Sequence, residues 1–347
     1  MALDEAPPFW WQKNSWQGYA LSPISYVYGR IAAKRMSITT PTSVEVPVIC
    51  VGNFVVGGAG KTPTVHMLSK YAIAQGFKVG ILSRGHGGAI QTPTIVEITK
   101  HNAHDVGDEA LLHAEKSTTV ISTNRVAGAE LLVKENCTII IMDDGFQNPA
   151  LHKDFNLVVT DAKRGLGNGF TMPSGPMRVP LKHQLLHTDA VLITGKGDNA
   201  IKTIRKAARA GKPIFHSVVE VIGKTKHKGK KALAYAGIAD PSKFFDTLED
   251  IGVDVIERQG FGDHHLFTQD ECADLIDRSK EQKLELFTTQ KDAIRLKDMG
   301  EAQDKLKELS EAIHIDLKPE DPAMLKRIFD ITLKRFNARK KPEVPTA

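Results

Sequence analysis

A glycine-rich segment between an apolar run and a helix-like run is the feature that most constrains this chain. The segment reads GNFVVGGAGKTP at 52–63, after an apolar run at 46–51 and before a helical pattern that extends to about Gln75. In such a strand–loop–helix unit, backbone N–H groups turn onto phosphate, Lys61 places a charge on the β- and γ-oxygens, and Thr62 offers a hydroxyl to Mg²⁺. The segment therefore predicts a nucleotide-binding P-loop rather than a purely structural glycine turn. The predicted cradle comprises Val55, Val56, Gly57, Gly58, Ala59, Gly60, Lys61 and Thr62.

The strict P-loop pattern places a glycine where this chain has Val55. We expect Gly57 and Gly58 to provide the flexibility of the loop instead, because glycine adopts backbone conformations that other residues avoid.

A second apolar run ends in two carboxylates. It reads IIIMDDGFQ at 139–147 and places Asp143 and Asp144 at the tip of a predicted strand. In P-loop enzymes an Asp at this position meets Mg²⁺ directly or through water. A strand-end Asp on its own is more often a turn former, but the neighbouring P-loop favours metal binding here.

Two more acids, Asp108 and Glu109, open a helix-like segment at 110–116. Acids in the first turn complement the helix dipole. A carboxylate at this position could equally serve as a general base. The residues alone leave both interpretations open.

A long loop rich in glycine and proline spans 164–178 and contains RGLGNG and PSGPMR. A loop of this length inside a compact domain is usually functional. Its arginines suit a phosphate group, either on the substrate or in the transition state.

Two motifs in the second half carry weaker signals. Adjacent histidines in FGDHH (261–265) point in different directions on most backbones, so neither a shared metal nor a zinc site is expected, and surface histidines are the alternative. The TTQKD segment (288–292) resembles the guanine-reading element of GTPases only loosely, because the Asn is missing and the Lys–Asp spacing differs. It therefore does not establish GTP as the nucleotide.

The order of apolar runs indicates an α/β fold. Runs that are apolar on both faces, separated by crossover-length segments, indicate mainly parallel sheets flanked by helices. The length of 347 residues allows about two domains. We expect an N-terminal helix at 1–36, a P-loop domain at 37–222, a basic linker at 223–231, a C-terminal α/β domain at 232–337 and a tail at 338–347. Strands are predicted at 46–51, 79–82, 138–142, 157–160, 190–194, 214–217, 232–236, 253–256, 284–288 and 312–315.

Aromatic residues concentrate at the N-terminus, where the first 28 residues hold all 3 tryptophans and three of the 5 tyrosines. Trp and Tyr favour the lipid headgroup zone, and Lys and Arg pair with anionic lipid. We therefore expect a membrane-interface helix, with docking on the protein's own surface or on a second subunit as the alternative. One helix could do both. The helical stripe comprises Ile24, Val27, Tyr28 and Ile31, beside Arg30, Lys34 and Arg35.

Composition excludes several classes of protein. The formal net charge of +5 suits anionic ligands or a membrane surface, but it is not a nucleic-acid signature. The 3 cysteines form no CxxC pair, which argues against a zinc ribbon, an iron–sulfur cluster or a secreted disulfide scaffold. No apolar run approaches the ~18 residues of a spanning helix, and the N-terminus does not read as a signal peptide. We expect a cytoplasmic protein with no obligate protein partner.

Eight motifs in one order resemble those of the tetraacyldisaccharide 4'-kinase family, also called lipid A 4'-kinases. The resemblance runs from about Tyr26 to Phe336, and the loose P-loop spacing of the family accounts for Val55. The motifs are GNFVVGGAGKTP, SRGHGG, GDEALL, DDGFQ, RGLGNG with PSGPMR, AYAGIADPSKFF, FGDHH and TTQKDAIRL.

The resemblance implies two α/β/α Rossmann-like domains, joined by a two-stranded linker, with the active site in the cleft. It implies a helix on the cytoplasmic face of the bacterial inner membrane, where the protein is peripheral. The implied reaction is a step of lipid A biosynthesis, in which an ATP- and Mg²⁺-dependent transferase moves the γ-phosphate to the 4'-hydroxyl of a tetraacyldisaccharide 1-phosphate. The product would be lipid IVA.

The resemblance also implies roles for individual residues. The catalytic Asp of the family matches Asp108, its partner matches His264, and Lys61 completes the catalytic set. The residues expected to face Mg²⁺ are Thr62, Glu109, Asp143 and Asp144. The residues expected to bind the lipid substrate are Arg125, Arg164, Asn168 and Arg178.

Two alternatives to the lipid kinase remain at this point. A membrane-associated P-loop ATPase or GTPase switch would explain the aromatic N-terminus and the P-loop, but it leaves the Asp108–His264 pair and the loop at 164–178 without a role. A soluble kinase of a small metabolite would leave the N-terminal aromatic residues unexplained.

Overall fold

The computed structural model describes residues 6–340, which form two open sheets with helices on both faces. The strands are β1 (Val48–Asn53), β2 (Val79–Ser83), β3 (Thr94–Ile95), β4 (Thr118–Ile121), β5 (Ile139–Asp143), β6 (Phe155–Asp161), β7 (Ala190–Thr194), β8 (Ile214–Val221), β9 (Lys231–Ala236), β10 (Asp254–Gly260), β11 (Glu285–Thr289), β12 (Ser310–Ile313) and β13 (Ile315–Pro319). The helices are α1 (Trp16–Ile38), α2 (Lys61–Ala74), α3 (Ala103–Val106), α4 (Asp108–Ala114), α5 (Arg125–Lys134), α6 (Leu181–Leu186), α7 (Ile201–Arg209), α8 (Pro241–Asp250), α9 (Gln269–Gln282), α10 (Gln290–Leu296), α11 (Glu301–Leu309) and α12 (Met324–Lys340).

The larger sheet has the strand order β13-β8-β7-β6-β1-β5-β2-β4-β3 and is parallel except at its edge strands β13 and β3. Its central strands are buried on both faces, which is why they read as continuous apolar runs. Val51 in β1 pairs with Asp143 in β5, so the loops that follow these two strands emerge side by side. The predicted P-loop and the strand-end carboxylates therefore meet at one edge of the sheet.

The smaller sheet has the order β10-β9-β11-β12, and all its pairings are parallel. Successive residues of β9 contribute to opposite faces: Leu233 and Tyr235 pack beneath α9, and Ala232 and Ala234 pack with residues of α8. This alternation is the period of two that a strand buried on both faces requires. The α/β class with mainly parallel sheets is confirmed.

The chain passes between the two sheets twice, after β8 and after β12. Strands β8 and β13 pair antiparallel to each other, and they form the two-stranded connection that the resemblance implies. Residues from Ile315 onward therefore belong to the larger sheet, and α12 packs on its core through Met324, Ile328 and Phe329. The range predicted for the C-terminal domain, 232–337, differs from the structure at this end.

Other boundaries differ for local reasons. The predicted strand at 312–315 is two strands in different sheets, separated only by His314, and a short apolar run does not indicate which sheet it joins. Strand β1 begins after Pro47, which has no N–H to donate. Strands β3 and β4 were not predicted, because two to four residues give too little pattern. Helix α12 extends to Lys340, so the predicted tail is helical over 338–340, and 341–347 lie outside the described residues.

Helix α1 has two different faces. Ser15 caps its N-terminus by accepting a hydrogen bond from Gly18 N at 3.3 Å. One face is buried on the larger domain, where Gly29 lets the helix approach Pro180 closely. The opposite face is solvent-exposed and apolar, and it carries Trp16, Tyr19, Ile24, Tyr26, Val27 and Ile31. Within residues 6–340, no helix combines the length and the apolar character that crossing a bilayer requires.

Candidate active site

The loop after β1 forms a cradle at the N-terminus of α2. Gly57 and Gly60 have φ values of +98° and +85°, which favour glycine, whereas Gly58 does not need that conformation. Val55 pairs its backbone with Met177 in an isolated antiparallel bridge, so an ordinary residue fits where the strict pattern has glycine. The unpaired N–H groups of the first turn of α2 make this end a ready anion site.

Lys61 and the carboxylate of Asp144 face each other at the cradle. Lys61 Nζ lies 3.8 Å from Asp144 Oδ2, and Arg178 donates to the two oxygens of Asp144 at 2.8 and 2.9 Å. Burial acts to raise the pKa of Asp144, but Lys61 and Arg178 hold it well below its usual range. Asp144 is therefore ionised and shared by two cations.

The preceding residue, Asp143, has a different environment. Its Oδ2 lies 2.9 Å from His113 Nε2, and only 1% of the residue is exposed. Its Oδ1 is buried and has no hydrogen-bond partner within residues 6–340. An unpartnered buried carboxylate oxygen is costly, and it is the kind of atom that Mg²⁺ prefers as a ligand.

The predicted Asp108–His264 pair is present, and it spans the two sheets. Asp108 Oδ2 lies 3.2 Å from His264 Nδ1 and accepts a 2.7 Å hydrogen bond from Arg295 Nε. Burial acts to raise the pKa of Asp108, but the Arg295 guanidinium and the hydrogen bond with His264 hold it well below its usual range. The hydrogen bond with Asp108 raises the pKa of His264, against the opposing effect of burial. Asp108 is 4% exposed, whereas His264 lines the cavity.

Glu109 connects the same two parts of the molecule. Its Oε1 accepts a hydrogen bond from Lys291 Nζ at 2.5 Å and from the Thr62 hydroxyl at 3.3 Å. Burial acts to raise the pKa of Glu109, but Lys291 and other nearby cations lower it to about 2. Lys291 therefore lies among the residues predicted to face Mg²⁺.

The TTQKDAIRL segment provides three site residues that the sequence analysis did not assign: Lys291, Asp292 and Arg295. Asp292 is fully buried; its Oδ1 accepts from Arg295 at 2.8 Å, and its Oδ2 accepts from the Thr289 hydroxyl at 2.6 Å. Lys291 and Arg295 extend from α10 to Glu109 and Asp108. The only sequence signal for these three residues was the family motif TTQKDAIRL. Its residues by themselves indicated no more than a loose resemblance to the guanine-reading element of GTPases.

The two adjacent histidines point in different directions, as expected. His264 faces Asp108, whereas His265 Nε2 lies 2.9 Å from Glu271 Oε2 and its ring stacks on Phe261 at 4.8 Å. His265 therefore belongs to the packing of the smaller domain.

Of the four residues expected to bind the lipid substrate, only Arg178 lines the cavity. Arg125 is 3% exposed and donates to Ser122 O at 2.9 Å. Arg164 donates to Ala239 O at 2.6 Å and lies over the Trp11 ring.

Asn168 is occupied by the N-terminal segment and by its own loop. Its side-chain amide donates to Phe9 O at 3.3 Å and to Ser174 O at 2.8 Å. Most of the loop at 164–178 thus holds the N-terminal segment in place. The end of the loop positions Arg178 at the cavity.

Residues 6–340 contain no cluster of three or more His, Cys, Asp or Glu side chains that would form a metal cage by itself. Mg²⁺ is instead usually held by one or two carboxylates together with substrate phosphates and waters. The Thr62 hydroxyl, the Glu109 carboxylate and the unpartnered Oδ1 of Asp143 fit that mode of binding.

One cavity of about 1770 Å³ lies between the two sheets, and Asp108 and Asp143 are buried behind its lining residues. Its polar wall includes the cradle, Asp144, Glu109, Lys291 and His264. An apolar wall is formed by α1 and the loop before α6, through Tyr28, Ile31, Ala32, Met36 and Val179. The cavity therefore offers space for a ligand with phosphate and apolar parts.

A P-loop, strand-end carboxylates and an Asp–His pair around one cavity define a P-loop phosphotransferase. Residues 18–334 match the family model of tetraacyldisaccharide-1-P 4'-kinase. The chain belongs to this family.

Solved and curated relatives are similar over nearly the whole chain. The tetraacyldisaccharide 4'-kinase of Agrobacterium fabrum is 45% identical, with 97% of each chain covered. That of Sinorhizobium fredii is 48% identical and covers 97% of this chain and 98% of its own. The structure of LpxK from Aquifex aeolicus in complex with ATP has a TM-score of 0.70 at 27% identity, and it covers 91% of this chain and 99% of that chain.

Proposed function

We propose that this cavity transfers the γ-phosphate of ATP to the 4'-hydroxyl of a tetraacyldisaccharide 1-phosphate and yields lipid IVA. The chain is an ATP-dependent kinase of lipid A biosynthesis by its family. The observation that carries the chemistry is the convergence of Lys61 from one domain and the Asp108–His264 pair from both domains on a single cavity.

The cradle binds the phosphates of ATP. Backbone N–H groups at 57–62 and the N-terminus of α2 receive the phosphate oxygens, and Lys61 neutralises charge on the oxygens that separate during transfer. When Lys61 turns from Asp144 to the phosphates, Asp144 keeps a cationic partner, because Arg178 donates to both of its oxygens. Arg178 also lines the cavity beside the cradle and adds positive charge where phosphate collects.

Thr62, Glu109 and Asp143 are the residues that would hold Mg²⁺ with the phosphates. When bound, the ion neutralises the charge that develops on the transferred phosphoryl group. Glu109 is kept ionised by Lys291, as its lowered pKa shows, so it is ready to accept a cation or a metal-bound water. Asp144 is a weaker candidate than the sequence indicated, because Arg178 occupies both its oxygens.

The Asp108–His264 pair orients the acceptor hydroxyl and accepts its proton. Phosphoryl transfer has a loose transition state, so the hydroxyl loses its proton late and a weak base such as the Asp108 carboxylate is adequate. His264 lines the cavity and lies against Asp108, and Arg295 also holds that carboxylate in place. The pair therefore works as one unit that exists only when both domains are in contact.

The exposed apolar face of α1 supports a position of the cavity at the membrane. Its aromatic and aliphatic side chains suit the headgroup zone, and Tyr28 and Ile31 belong to the cavity wall as well. Acyl chains of the lipid can therefore pass from the bilayer along α1 while the sugar head reaches His264. The protein would lie on the cytoplasmic face of the inner membrane, where ATP is available.

One assay tests the function against the nucleotide-switch alternative. The protein is incubated with γ-labelled ATP, Mg²⁺ and disaccharide 1-phosphate in detergent, and the lipid and aqueous phases are separated. The proposal expects label in the lipid. Label released only as free phosphate would overturn the proposal and favour a switch.

A further inference from the structure

Two buried histidines link Asp143 to a lysine beyond the end of α4. His113 Nε2 lies 2.9 Å from Asp143 Oδ2, His113 Nδ1 lies 3.0 Å from His66 Nε2, and His66 Nδ1 lies 3.1 Å from Lys116 Nζ. The two rings are nearly perpendicular, with centroids 5.0 Å apart. Each of the four ring nitrogens thus has one partner. We call Lys116, His66, His113 and Asp143 the histidine relay.

The lysine fixes the direction of every hydrogen bond in the histidine relay. A lysine ammonium has donors and no acceptor, so His66 Nδ1 must accept. The neutral ring of His66 then carries its proton on Nε2 and donates to His113 Nδ1. His113 in turn carries its proton on Nε2 and donates to Asp143 Oδ2. Both histidines are therefore neutral Nε2–H tautomers.

The two carboxylate oxygens of Asp143 therefore have different environments. Oδ2 is occupied by His113, while Oδ1 is buried and has no partner among residues 6–340. A carboxylate that binds a metal is usually oriented by a hydrogen bond to the oxygen that does not bind it, and such partners strongly affect metal affinity.

We propose that His113 and His66 are positioning residues, which hold the Asp143 carboxylate so that Oδ1 is presented to the Mg²⁺ of the nucleotide complex. This inference rests on the proposed function, since it takes Asp143 as a residue that faces the metal. His113 is fully buried and does not line the cavity, whereas His66 lines the cavity and contacts His113 through its Nε2. His113 comes from α4, the helix that also carries Asp108 and Glu109, and His66 comes from the P-loop helix α2. The histidine relay thus ties the two helices of the site to the end of β5.

Metal binding by three variants tests the proposal without any lipid substrate. Mg²⁺ is titrated calorimetrically into the protein loaded with a non-hydrolysable ATP analogue. His113→Phe keeps the ring volume but removes the donor, and it is expected to weaken Mg²⁺ binding by about 10–100-fold. His113→Gln keeps an N–H donor and is expected to stay within a few-fold of the wild type. His66→Phe is expected to lie between them, because His113 remains but its tautomer is no longer fixed.

The matched control is Met67→Leu, a buried neighbour of His66 that is outside the histidine relay. Its Mg²⁺ affinity should match the wild type, and binding of the analogue without Mg²⁺ should be unchanged in all variants. A merely structural role would lower the unfolding midpoint without this selective loss of Mg²⁺ affinity. Mg²⁺ affinity within about twofold of wild type in folded His113→Phe would overturn the proposal.

A second measurement uses the unmodified chain, so it is decisive even if a variant does not fold. Histidine ¹⁵N chemical shifts distinguish the two neutral tautomers. The proposal expects Nε2–H for both His66 and His113, and an Nδ1–H tautomer or a doubly protonated ring at either position would overturn it. If the protein failed to phosphorylate the lipid while these results held, the proposed function would fail and the relay geometry would stand.

Discussion

The two parts of the active site are built in different ways. The P-loop is a run of consecutive residues between β1 and α2, and its shape depends on backbone conformation at Gly57 and Gly60. The Asp108 centre consists of side chains from both domains, and Arg295 is 187 residues from Asp108 in the sequence. The first can form as soon as one strand–loop–helix unit folds, whereas the second depends on how two domains pack. Mutations should therefore affect them differently.

The largest effect is expected at the P-loop. Lys61→Ala should lower kcat by about 10³-fold or more, because it removes the charge that stabilises the separating phosphate oxygens. Steady-state phosphorylation of the lipid measures this loss. Lys70→Ala, in the same helix but with a side chain 81% exposed, is the control and should retain activity. Near-normal turnover by Lys61→Ala would show that the P-loop assignment is wrong.

The cross-domain pair should show a comparable loss of rate with little change in nucleotide binding. Asp108→Ala and His264→Ala should each lower kcat by ~10²–10⁴-fold, since each removes part of the group that orients the hydroxyl and accepts its proton. The affinity for ATP, measured by calorimetry, should remain near that of the wild type. His265→Ala should cost much less, because His265 faces Glu271. A greater loss for His265 than for His264 would contradict the account.

The Asp108 centre should also contribute to the free energy of unfolding. Arg295→Met should destabilise the protein by about 3–5 kcal/mol, because it leaves Asp108 and Asp292 buried without their shared cation. Arg278→Met, which breaks one partly exposed pair within α9 and one between α9 and β10, should cost only about 0–1 kcal/mol. Urea unfolding monitored by circular dichroism measures both. Equal losses would mean that the buried ion cluster contributes no more than surface pairs do.

Substitutions on the exposed apolar face of α1 should affect membrane binding more than the rate of phosphoryl transfer. Ile24→Ser combined with Val27→Ser removes two exposed apolar side chains that neither pack on the domain nor line the cavity. Binding to vesicles of anionic phospholipid, measured by sedimentation, should fall by about 10-fold or more. Ile201→Ser, an exposed isoleucine on α7, is the control. An unchanged distribution of the folded double variant would indicate that α1 only packs on the protein.

The smallest effect concerns pH. The pKa of His264 is raised in the folded protein by its hydrogen bond with Asp108, so the protonated ring is favoured by folding. Its contribution to stability is fully present below about pH 6.5, the unfolded value, and is lost as pH rises through the folded pKa. The difference in unfolding free energy between the wild type and His264→Gln should therefore be larger at pH 5.5 than at pH 9. A difference that grows with pH would contradict the pairing.

The sequence predicted those parts of the site that lie in continuous motifs. The P-loop, the carboxylates after β5 and the acids that open α4 are each set by a local strand–loop or loop–helix pattern, and the resemblance supplied the Asp108–His264 pairing. The roles of Arg125, Arg164 and Asn168 were not visible from sequence, because an arginine or asparagine in a glycine-rich loop bonds to backbone as readily as to a ligand. In the structure these three side chains are occupied by protein groups.

Contacts between residues far apart in the sequence could not be predicted from the sequence either. Lys291 and Arg295 are ordinary cations of a helix until the domains bring them to Glu109 and Asp108. The pairing of β13 with β8 in the larger sheet was not predicted for the same reason, because the sequence of a five-residue strand does not indicate which strand it pairs with. The parallel order of buried strands, by contrast, follows from runs that are apolar on both faces.

The central claim, that Asp108 and His264 act as one unit across the two domains, is tested most directly by a double-mutant cycle on kcat. The rates of the wild type, Asp108→Ala, His264→Ala and the double variant are measured at saturating ATP and lipid. The account predicts a double variant little slower than the slower single variant, because parts of one device are not additive. Losses that multiply would show two independent groups and would contradict the account.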